Sequence, residues 1–183
     1  VLRDLMLKLT MTDPSRRMTV VQTLPAMDAG GVERGTLEVA DELVRRGHRS
    51  IVIAESGRLI EPLVAGGSEH IDWPIGRKSL LTLRFVRRLR RFLRDERVDI
   101  LHARSRVPAW VAYLAWKRMP PGDRPRFVTT VHGLYSVNSY SAVMMRGERV
   151  VAVSNTARRY ILDNYPGMDE SSIDVIHRGV SPQ

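Results

Sequence analysis

The sequence predicts an α/β protein built on a doubly wound, mostly parallel sheet of about seven strands. Three observations lead there. Short, nearly continuous apolar runs such as Ile51-Val52-Ile53 suit strands covered on both faces, as in a parallel sheet. Between those runs lie segments whose apolar residues recur at helical spacing. Several of the strands end directly in glycine or polar residues, and sheets of this kind bind ligands outside the carboxyl ends of their strands.

The organising stretch is residues 19–46. Val20 and Val21 open a strand, Pro25 to Gly31 supply turn residues, and Val32, Val39, Ala40, Leu43 and Val44 then follow helical periodicity. Without a Cβ, Gly30 and Gly31 can adopt positive φ and lie close to a bound group where a helix start favours an anion. The pair lacks both the lysine of a P-loop and the third glycine of a dinucleotide fingerprint, so a plain tight turn is the competing reading. Gly47 suits the left-handed position past the helix end.

Further along, residues 49–54 form the second strand, residues 61–66 a short helix and residues 70–72 a third strand. Residues 80–95 are expected to be one amphipathic helix, with Leu81, Phe85, Val86, Leu89, Phe92 and Leu93 inward. Arg84, Arg87, Arg88, Arg91 and Arg94 take the other side, flanked by Arg90. Such a face is either a solvated outer surface or one that lies on an anionic membrane, and both fit a helix whose apolar stripe meets the sheet. The remaining strands fall at residues 98–102, 127–131, 149–153 and 173–177, with helices around 106–118, 140–146 and after Ser154. In that last helix Ala157, Tyr160, Ile161 and Tyr165 are the expected buried side.

At 183 residues, 43% hydrophobic and 27% charged, the chain has the balance of one globular domain rather than of a disordered segment. No apolar run approaches the roughly 20 residues that span a bilayer. Residues 1–17 are read as an extension ahead of the domain, with Met11 or Met18 as candidate starts and without the cleavage pattern of a secretion signal. With no cysteine, disulfides and thiolate sites are excluded, and a cytoplasmic location is the default expectation. The net charge of +9 points to a phosphate-rich partner: nucleic acid, anionic lipid or a phosphorylated substrate. Aromatic content of 6%, with no aromatics interleaved in a basic groove, weighs against nucleic acid.

The residues expected at the rim of the sheet are Gly30, Gly31 and Glu33, then His102 and Arg104, then His132 and Gly133, and finally Ser154. Each has a structural alternative. Glu33 suits the dipole of a helix start, Arg104 could pair with an acid, His132 could bond a loop carbonyl, and Ser154 suits an N-cap better than a ligand. No group of His, Asp and Glu has metal-ligand spacing, and no cofactor is expected.

In order, the segments GGVER, VDILHARSRVPAW, VTTVHGLY, RVVAVSNTARRYI and VIHRGVSP resemble the N-terminal domain of a family-4 (group 1) retaining glycosyltransferase of the GT-B fold. The resemblance runs over residues 18–182, and DILHARSR with VTTVHG is most similar to bacterial members that build lipopolysaccharide or related surface sugars. It implies a Rossmann-like domain over residues 18–177 that faces a second domain across a cleft and mainly holds the acceptor. Residues 178–183 would begin the interdomain linker, and the donor-holding domain with its Glu-x7-Glu segment would lie outside this sequence. It also implies that Gly30 and Gly31 lie beside the donor diphosphate or the acceptor, and that His132 is the catalytic-site histidine touching the transferred sugar. Glu33, His102, Arg104, Gly133 and Ser154 are assigned to substrate binding. The implied partners are a nucleotide-sugar donor, a lipid-linked or glycan acceptor, and an anionic membrane at the inner face of the cytoplasmic membrane. The activity expected is hexosyl or heptosyl transfer, absent from this chain alone. Retention is ascribed to attack on the same face, with the leaving phosphate taking the acceptor proton, so no catalytic base is named.

Two other classes compete. A non-catalytic basic module would use the arginine helix to grip anionic lipid or nucleic acid. A dinucleotide oxidoreductase would need the G-x-G-x-x-G pattern, which is missing, and would have only Glu55 as a ribose-binding acid.

Overall fold

The computed structural model describes residues 16–177; the readings of residues 1–15 as part of an extension and of 178–183 as a linker lie outside the described residues. The elements are β1 (Thr19–Ala26), α1 (Gly31–Arg45), β2 (Arg49–Glu55), α2 (Ile60–Ala65), β3 (Glu69–Asp72), α3 (Arg84–Asp95), β4 (Ile100–Ala103), α4 (Arg106–Lys117), β5 (Arg126–Val131), β6 (Arg149–Ala152), α5 (Asn155–Asn164) and β7 (Ile173–Val175). They form one seven-stranded sheet in the order β3-β2-β1-β4-β5-β6-β7, with every neighbouring pair parallel. The chain works outward from β1 to β3, crosses back to place β4 beside β1, and then works outward the other way. The reversal between β1 and β4 is the topological switch point, where such sheets open a crevice at their carboxyl edge.

Strand alternation sorts the core. Val21, Ile51, Leu101, Phe127 and Val150 join the inner faces of α3, α4 and α5 in one large apolar cluster. On the other face, Leu43 of α1 packs with Val20, Ile100, Val128 and Val151, while Leu24, Val52 and Leu63 make a third cluster. Fully buried side chains such as Phe127, Leu89 and Leu101 contribute about 1.5–3 kcal/mol each relative to exposure. Trp73 fastens α3 to the edge of the sheet, stacked on Phe85 at 5.8 Å and edge-on to Phe92 at 5.9 Å.

Three local expectations are corrected. Residues 80–95 are not a single helix: Leu80–Leu83 is a 3₁₀ turn, started by Ser79 Oγ accepting from the Leu81 amide at 3.2 Å, and α3 follows it. The tighter turn shifts the helical phase, so Thr82 faces inward and donates to the Arg77 carbonyl at 2.7 Å. Leu81, expected in the buried stripe, is 70% exposed. The second correction concerns Gly30, which is extended (φ −107°) rather than left-handed, while Gly47 does take the left-handed position expected of it (φ 81°). Thirdly, Tyr160 and Tyr165 are only half-buried on α5, where Ala157 and Ile161 supply the buried contact. The Tyr160 hydroxyl donates to the carbonyl of Tyr135.

Candidate functional site

Because all seven strands are parallel, the segments after β1, β4, β5 and β6 emerge at one rim. Gly30 and Gly31 follow β1, Arg104 follows β4, His132 and Gly133 follow β5, and Ser154 follows β6. Strands lie about 4.8 Å apart, so the ends of β1 and β5 lie roughly 10 Å apart across the sheet and the end of β6 about 5 Å farther. The fold thus brings Gly30, Gly31, Glu33, His102, Arg104, His132 and Gly133 together around the switch point.

Beneath this rim the sheet face that meets α1 changes character. Val20, Ile100 and Val128 make an apolar cluster; farther along each of the same three strands, on the same face, stand the polar Gln22, His102 and Thr130. Gln22 and His102 are register partners on adjacent strands. Burial of polar groups in this position requires hydrogen bonds, and they are made. Gln22 Nε2 donates to the Thr36 carbonyl of α1 at 3.1 Å, and Thr36 Oγ1 donates to the Val32 carbonyl at 2.8 Å. Gln22 Oε1 accepts from Arg104 Nη1 at 2.9 Å. The Arg104 backbone amide donates to the Thr23 carbonyl at 3.0 Å, so both ends of this residue are anchored to β1. Its guanidinium, on a residue 5% exposed, lies across β1 toward α1, where a Cβ on Gly35 would stand 3.1 Å from Nη2.

His102 Nε2 and Thr130 Oγ1 are 2.6 Å apart. Burial, then the nearby Arg104 cation and His132, hold the His102 imidazole well below its usual pKa and therefore neutral. The same coupling puts Arg104 and His132 within electrostatic reach of His102. His132 is half-buried in the rim, and Gly133 beside it faces open space, where a Cβ would meet nothing within 4 Å.

The end of β1 and the loop that follows it each pack against a glycine. A Cβ on Gly57 would come 2.5 Å from the carbonyl carbon and oxygen of Met27, and one on Gly76 would come 2.5 Å from Pro25 Cα. The Met27 amide donates to the Glu55 carbonyl at 3.0 Å and the Leu59 amide to the Met27 carbonyl at 2.8 Å. Gly30 itself is tight for a different reason than the sequence suggested. The Glu33 carboxylate folds back over it, and a Cβ there would meet Oε2 at 2.2 Å. The anion at the start of α1 in this structure is the protein's own. Ser154 Oγ accepts from the Ala157 amide at 3.1 Å and caps α5.

Gln22, Gly35, Thr36, Gly57 and Gly76 also shape the site, and the sequence alone does not single them out. A polar Gln22 inside an otherwise apolar strand was the one visible signal; the close approaches at the three glycines involve residues far apart in sequence. The arginines of α3 belong to a separate, exposed surface. Arg88 stacks over Trp73 at 4.3 Å, Arg84 over Phe85 at 5.0 Å, and Arg94 pairs with Asp95 at 2.8 Å. Glu55, the acid a dinucleotide site would need, is ion-paired to Arg77 at 2.5 Å.

Among curated proteins no match is found. Among solved structures, a glycosyltransferase from Rickettsia africae is 38% identical with a TM-score of 0.77, covering 90% of this chain and 44% of its own. Anabaena Alr3699/HepE, solved with UDP and glucose, is 16% identical with a TM-score of 0.71 over 90% of this chain and 45% of its own. The lipopolysaccharide outer core galactosyltransferase WaaB, in its apo form, is 14% identical with a TM-score of 0.66 over 90% and 46%. The chain therefore spans less than half the length of these structures, and its sheet is the Rossmann-like N-terminal half of their GT-B fold. The family model described as Glycosyltransferase Family 4 matches residues 29–183, and the chain belongs to that family.

Proposed function

We propose that this domain is the acceptor-side half of a retaining glycosyltransferase that moves a hexose or heptose from a nucleotide-sugar to lipopolysaccharide or another cell-surface glycan. The observation that carries the reading is the convergence of Arg104, His132 and the start of α1 at the switch point, beside the end of β1 and its loop, which pack closely on Gly76 and Gly57. In glycosyl transfer, positive charge grows at the sugar carbon and negative charge on the departing phosphate. Fixed donors aimed at that phosphate lower the barrier without reorganising. In this reading Arg104 and the amides at Gly30 and Gly31 face the diphosphate side of the cleft. His132 touches the transferred sugar, and Gly133 leaves room for it. Glu33 accepts from acceptor hydroxyls, swinging off Gly30 to do so. The leaving phosphate takes the acceptor proton, so neutral His102 supports the geometry rather than acting as a base. The donor is gripped mainly by a second domain outside this sequence, and the α3 arginines rest on the inner face of the cytoplasmic membrane.

Support for the nucleotide-sugar comes from the UDP and glucose named for HepE, and for the glycan class from the outer core reaction named for WaaB. The test is transfer from radiolabelled nucleotide-sugars to membrane extract, using the domain joined to a family donor domain, with His132→Ala and Arg104→Ala alongside. Both variants are expected to lose at least tenfold in kcat/KM while the parent transfers. The 183-residue chain alone is expected to be inactive; turnover by it at an enzyme-like rate contradicts the assignment.

A further inference from the structure

Two cavities meet on the outer surface where α3 and α4 run side by side. One, about 400 Å³, is lined by Leu83, Val86 and Leu114 together with Arg87, Arg90 and Arg118, the last of which donates from Nη1 to the Leu114 carbonyl at 3.0 Å. The other, about 360 Å³, extends toward the carboxyl rim of the sheet past Val107, Trp110 and Val111, with Arg77 and Lys78 also in its lining. Leu83 lines both, so the two cavities adjoin and are taken together as one groove. Both volumes fall in the range of small-molecule sites, about 300–1,000 Å³.

The sequence spacing explains why the groove exists. Positions 107, 110, 111, 114 and 118 share one side of α4, and positions 83, 86, 87 and 90 share the facing side at the start of α3 and the turn before it. From Val107 to Arg118 is eleven residues, roughly 16 Å along the helix. The Trp110 indole N–H donates to the Tyr140 carbonyl at 3.0 Å, so its one polar atom is satisfied and the ring adds an apolar wall. Arg87 and Arg90 are exposed and form no ion pair among the described residues. Leu80 and Leu81, in the turn that leads to Leu83, are 86% and 70% exposed. Single exposed leucines need no explanation, but a row of them beside unneutralised arginines over an apolar trough asks for a ligand both anionic and greasy.

We infer that this groove binds one phosphate-bearing lipid molecule, its phosphate between Arg87, Arg90 and Arg118 and its alkyl chain in the section walled by Val107, Trp110 and Val111. The inference deepens the membrane-facing reading of α3 and rests on it. A flat electrostatic contact with a bilayer needs only the arginines; the trough adds a binding place for a chain. A guanidinium pair or triad matches phosphate geometry through several directed N–H groups. Each methylene withdrawn from water tightens binding by roughly fourfold, so a dodecyl chain and its phosphate should bind far better together than either does alone.

The experiment titrates the 183-residue chain with dodecyl phosphate below its micelle concentration, followed by ¹H–¹⁵N correlation spectra, with inorganic phosphate and dodecyl maltoside as parallel arms. Saturable shifts are expected at the Trp110 indole and at the amides of Leu83, Arg87 and Leu114, with a Kd at least tenfold below those of both control ligands. Arg87→Glu with Arg90→Glu, and separately Leu83→Asp, are expected to weaken dodecyl phosphate at least tenfold while the rest of the spectrum is unchanged. All three positions are exposed, and the unchanged remainder of the spectrum is the check that each variant folds. Equal binding of inorganic phosphate, equal binding of dodecyl maltoside, or variants that bind as the parent does each overturn the inference. So does sedimentation with phosphatidylglycerol vesicles in the absence of any response to dodecyl phosphate. That last result would leave a membrane-facing α3 standing and remove only the groove. Loss of transfer activity bears on the glycosyltransferase reading alone.

Discussion

Arginine is used in two opposite ways in this domain, and the contrast separates what holds the site from what surrounds it. Arg104 is 5% exposed, tied through Nη1 to a fully buried glutamine and through its amide to β1. The arginines of α3 lie in water, with Arg84 and Arg88 resting over aromatic rings and Arg94 pairing with its sequence neighbour. A buried charge is tolerated only in a well-made set of hydrogen bonds, so Arg104 is committed to one geometry. The exposed arginines keep their hydration and rotamer freedom, and contribute field rather than position. Removing the first kind should cost stability and function together; removing the second should touch only charge-dependent binding.

The largest test of that division is Arg104→Ala. It deletes the donor to Gln22 Oε1, leaves that acceptor buried, and opens a hole between β1 and α1. The expected loss is about 2–3 kcal/mol, read as a lower urea midpoint at unchanged slope. A loss under about 0.5 kcal/mol, the size of an ordinary surface change, would erase the contrast. Next in size is Gly57→Ala, whose new Cβ would press on the Met27 carbonyl at 2.5 Å. Backbone cannot rotate away as a side chain can, so overpacking of about 1–3 kcal/mol is expected together with displacement of the β1–α1 loop. Calorimetry measures the first effect. Amide shifts at Met27 and Asp28 measure the second, and their constancy would show that the glycine is not a clamp.

Much of the fold could be read from the sequence because the βαβ alternation is carried by local pattern. The apolar triplet at Ile51–Ile53 is a buried strand, and the Arg45-Arg46-Gly47 ending of α1 is where Gly47 turns left-handed. Where the pattern failed, the deciding contact was one that neither helical nor strand periodicity encodes. Nothing near Leu81 announces that Ser79 starts a 3₁₀ turn and rotates the leucine outward. Gly30 was noticed for its missing Cβ, but the reason is a carboxylate three residues on. Gly57 and Gly76 touch a loop about thirty and fifty residues away, a relation that no single-sequence periodicity encodes. The rim residues were legible for one topological reason: in an all-parallel sheet every strand's end lands at the same edge, whatever the side chains then do there.

A smaller and more graded effect comes from pH. His102 is neutral in the folded protein because burial, then Arg104 and His132, disfavour its cation, whereas in the unfolded chain it titrates near 6.5. A lowered folded pKa means that the unfolded state binds the extra proton first. The contribution to stability is complete above about pH 6.5 and is lost as pH falls below it, by up to about 1.4 kcal/mol per pH unit. His48, lowered by burial and then by Arg46, acts in the same direction. Urea titrations from pH 7.5 to 5 should show the decline, and His102→Asn should flatten it. A variant curve parallel to the parent's would assign the effect elsewhere.

The smallest effect is the one expected on the stability side of the comparison for α3. Arg91→Ser changes an exposed side chain with no ion pair among the described residues, so its unfolding free energy should move by no more than about 0.5 kcal/mol. The same change removes one of a row of like charges, whose mutual repulsion offsets whatever the lost stem contributed to packing. Sedimentation with anionic vesicles should nonetheless fall, and fall further at low salt, where the Debye length reaches about 30 Å and every exposed cation counts. If Arg91→Ser instead destabilised the fold as much as Arg104→Ala, exposure would be a poor guide to the two roles, and the α3 surface would have to be counted among the supports of the sheet.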